Sequence, residues 1–168
     1  MSDKAPSIHL LRGLGGNALS QGMDDFEHVI QSRYPHARVK IWDWNEWHAV
    51  VTDMRRQPVG TPFVLIGYSM GANEVTGIAE TGIPIVLLVA MDPTLWDSMS
   101  PLLPSVRRAV LFHDVNPLNI VGHAELTAGK GFDPRRLIVH TTWDLHSEID
   151  KDIAIRNIIL AELATALA

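Results

Sequence analysis

Along the chain, short β-rich apolar runs alternate with segments whose apolar residues recur at helical spacing. Residues 8–12 (IHLLR) make a short β-rich run, and residues 13–17 follow as a glycine-rich loop. Met23, Phe26, Val29 and Ile30 then recur at a spacing of three to four, which predicts a helix over 21–34. Ser20 stands where a helix cap is expected, and Pro35 ends the segment. A second strand is predicted over 37–42, and a helix over 46–56 that stops before Pro58. A third strand covers 63–67 and its helix 72–80. The wholly apolar run 83–91 reads as a central strand covered on both faces. Residues 96–103 have no clear period. Strands follow at 106–112 and 136–142, separated by a long loop over 116–134, and an apolar helix closes the chain over 148–167.

Strand and helix alternate without a repeat or a linker. The fold class expected is therefore α/β: a three-layer sandwich with a mostly parallel sheet of about six strands, formed by one domain over 1–168. In such sheets ligands bind beyond the carboxyl ends of the strands, where the strand order reverses. The loops to inspect are those after each strand: at Gly13, Ser69, Asp92, Asp114 and 144–146.

Composition narrows the chemistry. A net charge of −5 leaves no broad basic surface for nucleic acid. The absence of cysteine excludes disulfides, thiolate metal sites and a cysteine nucleophile. The polar start MSDKAPS is followed by no apolar signal core, and no apolar run is long enough to span a bilayer. The expectation is a soluble, cytoplasmic protein, although a dedicated export route would leave no trace here.

Gly67-Tyr68-Ser69-Met70-Gly71 matches G-x-S-x-G. It follows a predicted strand and precedes a helix, the context in which that motif has a mechanism. The strand turns sharply, side chains at the flanking positions would collide with neighbours, and the serine is left raised at the positive end of the next helix. On these residues the chain resembles the α/β-hydrolase fold over nearly its whole length, as a small, lidless, serine esterase- or lipase-like member. The resemblance implies that the strand at Ile8 lies directly beside the strand at Phe63. It also implies an oxyanion hole made by the backbone amides of Met70 and Leu14. Where that family often has histidine before the oxyanion glycines, this chain has Arg12-Gly13-Leu14-Gly15-Gly16.

A serine hydroxyl needs a base. Of eight histidines, His9 and His140 fall inside strands, and His28, His36 and His48 lie on or beside early helices. His113, His123 and His146 follow late strands. His146, after the last strand, fits the order Ser…Asp…His, with His123 as the fallback. Asp92, in Ala90-Met91-Asp92-Pro93, is the expected acid, and its placement resembles that in pancreatic-type lipases. Asp114, one strand later, is the alternative acid. Asp144 is too near His146 in sequence to support the ring from behind.

The expected activity is hydrolysis of carboxylic esters or thioesters through an acyl-enzyme on Ser69, with a small or lipid-like acyl ester as partner. No metal or cofactor is implied. Trp42, Trp44, Trp47, Trp96 and Trp143 fall near strand ends, where they either line an acyl-binding wall or pack the sheet rim. Only residues 114–134 are long enough to cover the site. Two rival readings stand beside this one. Gly13, Gly15 and Ala18 match G-x-G-x-x-A with Asp43 after the second strand, the form of a dinucleotide-binding oxidoreductase. A non-catalytic α/β-hydrolase-like binding protein is the other.

Overall fold

The structure, a computed structural model, describes residues 4–122 and 124–168. Its elements in chain order are β1 (Ser7–Leu11), α1 (Gln21–Arg33), β2 (Arg38–Trp42), α2 (Trp47–Arg55), β3 (Phe63–Tyr68), α3 (Met70–Glu80), β4 (Leu87–Met91), β5 (Ala109–Asp114), β6 (Leu137–Thr142) and α4 (Ile153–Leu167). The six strands form one parallel sheet in the order β2-β1-β3-β4-β5-β6. The chain steps outward from β1 to β2, then returns to add β3 on the other side of β1. That reversal puts the ligand crevice between the carboxyl ends of β1 and β3.

Both faces of the sheet are covered. Met23, Phe26 and Ile30 of α1 and Ile155, Ile159 and Leu163 of α4 pack on one face. Val50, Val51 and Met54 of α2 and Val75, Ile78 and Ala79 of α3 pack on the other. Every residue of β1, β3 and β4 is buried, whereas the edge strands β2 and β6 are partly exposed. Burial of side chains of this size stabilises by about 1.5–3 kcal/mol each, so the interior strands anchor the fold. Among the described residues no helix is long and apolar enough to cross a membrane.

Three expectations from the sequence are corrected. The fourth strand starts at Leu87 rather than at residue 83, with Ile85 making only an isolated bridge to Val106. Pro84 has no N–H to donate to a ladder. The last helix is two pieces. A 3-10 turn, His146–Lys151, precedes α4, and Asp152 restarts the helix by accepting from the Ile155 amide at 2.9 Å. Ser20 precedes α1 as expected but does not cap it. Its buried hydroxyl instead accepts from the Gly13 amide at 3.1 Å and pins the loop after β1.

Candidate active site

β3 is a run of apolar side chains that ends at Tyr68, and the next residue heads α3. Ser69 makes that turn with φ 57° and ψ −125°, a backbone state that L-residues adopt only under constraint. The flanking glycines allow it. A Cβ on Gly71 would lie 2.6 Å from the Arg12 carbonyl oxygen, and one on Gly67 would lie 2.7 Å from the Ala72 Cα. Gly13 has the same relation to the serine itself, since a Cβ there would sit 2.7 Å from the Ser69 Cβ. Gly13 thus lets the loop after β1 lie against the serine, and Met70 is the first residue of α3, where a helix leaves its amides unbonded.

His146 reaches the serine from the far side. It follows β6, the edge strand three positions from β3, yet its Nε2 lies 2.8 Å from the Ser69 Oγ. Its Nδ1 lies 2.6 Å from Asp92 Oδ2. A carboxylate only accepts, so Nδ1 carries the proton and Nε2 of the neutral ring accepts from the serine hydroxyl. Asp92 is fully buried at the end of β4, and its φ of 44° is the other non-glycine positive value among the described residues. Two strained residues, Ser69 and Asp92, therefore stand at the carboxyl ends of adjacent strands with the imidazole between them.

Further contacts fix this chain of hydrogen bonds. The Tyr68 hydroxyl donates to the His146 carbonyl at 2.6 Å, and its ring stacks on the imidazole with centroids 5.3 Å apart. Burial, with the charges of Asp150, Asp92 and Glu148, pushes the Tyr68 phenol well above its ordinary value, so it stays a donor. Asn119, buried on the long loop, donates to Asp92 Oδ2 at 3.0 Å and accepts from the Val121 and Gly122 amides. The sequence reading did not single out Tyr68 or Asn119 for a role. Tyr68 was visible only as the variable position of the motif, and nothing in the sequence marks Asn119.

The other candidates are placed as follows. Asp114 is buried at the end of β5, and its Oδ1 accepts from the Asn116 amide at 2.5 Å, capping the turn that starts the long loop. Asp144 accepts from the Thr142 hydroxyl at 2.6 Å. His123 lies outside the described residues. His9 is buried between Ser7 and Trp42, and His140 stacks on Phe112. Arg12, in the place where histidine was the commoner expectation, pairs through its guanidinium with both Asp24 and Asp43. Those pairs raise its pKa, led by the Asp24 hydrogen bond, and tie the start of the loop to α1 and to the turn after β2.

A cavity of about 250 Å3 opens over Ser69 and His146. Leu14, Leu19, Tyr68, Trp96 and Val121 give it a mostly apolar wall. Of the five tryptophans only Trp96 lines it. The Trp42 indole donates to His9, Trp47 packs against the core between α2 and α3, and Trp143 is exposed. Val121 brings the long loop to the rim of the cavity. Among the described residues no group of three or more His, Asp or Glu is placed to hold a metal ion.

No family model matches the chain, and no curated protein matches it. Solved structures do. A Xanthomonas campestris pv. campestris protein assigned to the hydrolases of the alpha/beta superfamily matches at 16% identity and TM-score 0.62, over 96% of this chain and 98% of that one. Est1E from Butyrivibrio proteoclasticus matches at 13% identity and TM-score 0.60, over 97% and 90%. Human thioesterase 2 matches at 14% identity and TM-score 0.60, over 96% and 95%. At such identities the likeness speaks for the fold: nearly the whole chain is built as an α/β-hydrolase fold.

Proposed function

We propose that this protein is a serine hydrolase of carboxylic esters or thioesters. One observation carries the reading: the unbroken hydrogen-bond chain from the Ser69 Oγ through both His146 ring nitrogens to the buried Asp92. His146 takes the serine proton as Oγ attacks the acyl carbon. Asp92 holds the ring in the required tautomer and stabilises the imidazolium. The Leu14 and Met70 amides hold the oxyanion, each contributing about 3 kcal/mol in the transition state. His146 then returns the proton to the departing alcohol or thiol, and water deacylates the serine by the same route. The apolar cavity wall suits an uncharged acyl group, and the likeness to an esterase and a thioesterase supports the substrate class.

The dinucleotide reading has less behind it. Asp43, the residue that would take a ribose hydroxyl, is engaged by Arg12 Nη1 at 3.0 Å and caps the turn at residues 44–46. Gly13 is used in the approach to Ser69 rather than toward an open phosphate loop.

The test is fluorophosphonate labelling with p-nitrophenyl ester turnover. The wild type is expected to label at one residue and to hydrolyse short acyl esters. Ser69→Ala is expected to abolish both while circular dichroism and thermal unfolding stay near wild type. A folded wild type that neither labels nor turns over esters or thioesters would favour the non-catalytic binding protein.

A further inference from the structure

Two Arg-Arg pairs stand at the same end of neighbouring strands. Arg107-Arg108 leads into β5 and Arg135-Arg136 leads into β6. The strands pair in parallel with Ala109 opposite Leu137, so the register brings the four guanidinium-bearing residues together at the amino edge of the sheet. They line a depression of about 250 Å3, closed on the third side by Thr165 and Ala166 near the end of α4. This is the opposite end of the sheet from Ser69. A neighbouring hollow of about 420 Å3 shares Arg107 and continues toward Lys4.

The charges there are half-compensated. Arg108 forms a two-pronged pair with Glu162 of α4, and Arg135 pairs with Asp133 at 2.9 Å. Arg107 donates to the Ala166 carbonyl at 3.0 Å and, among the described residues, meets no carboxylate within ion-pair distance. Arg136 likewise meets no carboxylate within ion-pair distance among the described residues. Two cations with no ion-pair contact among the described residues thus face one hollow in a chain whose net charge is −5, Arg136 having Asp133 in its wider field. The strand register holds these guanidinium groups around one hollow, where an anion can meet more than one of them. Guanidinium forks match phosphate oxygens two at a time, which an isolated halide cannot exploit.

From this we infer a second binding site, independent of the Ser69 chemistry: Arg107, Arg108, Arg135 and Arg136 hold a diphosphate group in the hollow between β5, β6 and the end of α4. The group is either free pyrophosphate or the diphosphate of a larger molecule such as a nucleoside diphosphate.

Pyrophosphate binding to the whole chain, followed by calorimetric titration at constant ionic strength set with sodium chloride, tests the site. Saturable binding at one site is expected, with Kd below about 1 mM. A rise in Tm of about 3 °C at saturation should accompany it. The double variant Arg107→Ala, Arg136→Ala should lose both effects. ADP in a parallel titration separates the sources. Binding as tight as pyrophosphate points to a carried diphosphate, and much weaker binding points to the free anion. The inference is overturned if chloride at matched ionic strength reproduces the whole effect. It is equally overturned if the folded double variant, checked by circular dichroism, binds pyrophosphate like wild type.

Discussion

Asp92 and Asp114 are both buried at the carboxyl ends of adjacent strands, and side-chain direction is what separates them. Asp92 sits at positive φ and meets the imidazole at 2.6 Å, while an oxygen of Asp114 is taken up by the Asn116 amide. Asp92→Asn is therefore expected to lower kcat by roughly 10^3–10^4, since an amide at Oδ2 favours the wrong histidine tautomer. Asp114→Asn should lower kcat by less than about tenfold, because it disturbs the loop turn and not the histidine contact. Steady-state hydrolysis of a p-nitrophenyl ester by both folded variants decides between them, and a larger loss at Asp114 would reverse the assignment of the acid. Tyr68 has a different part. It is the covalent neighbour of the serine and the hydrogen-bond anchor of the histidine turn, so it links Ser69 to an imidazole supplied from the sheet edge. Tyr68→Phe keeps the stacked ring and loses the 2.6 Å bond to the His146 carbonyl. Its expected effect is a fall in kcat of about tenfold with KM unchanged, because positioning rather than substrate contact is lost. A change confined to thermal stability would reduce Tyr68 to packing.

At the scale of elements, the loop between β5 and β6 matters through what it presses on. Asn119 holds the Asp92 carboxylate from behind, and Gly122 is so close to the same carboxylate that a Cβ there would overlap both of its oxygens. Gly122→Ala is thus predicted to push Asp92 away from the ring and lower kcat by about 10^2, although the substitution lies on a loop and reaches no substrate. Turnover measured beside urea unfolding separates this from general destabilisation. If the folded variant turns over at the wild-type rate, the loop does not position the acid. None of this was legible in the sequence, where residues 114–134 read only as the stretch long enough to cover the site. What a loop touches depends on side chains far away in sequence, and hydrophobic periodicity carries no such information. The regular elements were legible for the opposite reason. The apolar runs at 8–12 and 63–67 and the three-to-four spacing over 21–34 are set by the core they bury, and their boundaries shifted by only a few residues. The order of β1 beside β3 came from the resemblance carried by the serine turn, and the pairing of Ile8 with Val64 agrees with it.

Across the whole molecule, the sheet carries a titratable group in its buried interior. His9 lies fully buried in the middle of β1, with its Nδ1 accepting from the Trp42 indole at 3.1 Å and its Nε2 3.0 Å from the Ser7 hydroxyl. The indole only donates, so a second proton on the ring would set donor against donor. Burial is the main cause that pushes the His9 pKa down to about 4. The unfolded chain binds that proton near pH 6.5 and the folded chain only near pH 4, so stability is lost as pH falls through that window, by at most about 3 kcal/mol. Glu74 acts in the other direction. Burial, then the neighbouring Asp97, pushes its pKa up to about 7, so its contribution is complete below about pH 4.5 and is lost as pH rises to 7. Asp150, raised by burial, has the same sign as Glu74. Between pH 4.5 and 6.5 the opposed slopes partly cancel, and wild-type stability should change little. Removing one side of the balance exposes the other. Glu74→Gln should lose stability more steeply than wild type on acidification from pH 7 to 4.5, read as a falling urea midpoint at constant m. His9→Gln, which keeps an acceptor for the indole and a donor for Ser7, should gain relative stability on the same path. If His9→Gln follows the same pH dependence as wild type, His9 is not held neutral by the fold, and the pairing of β1 with β2 would not weaken in acid through this ring.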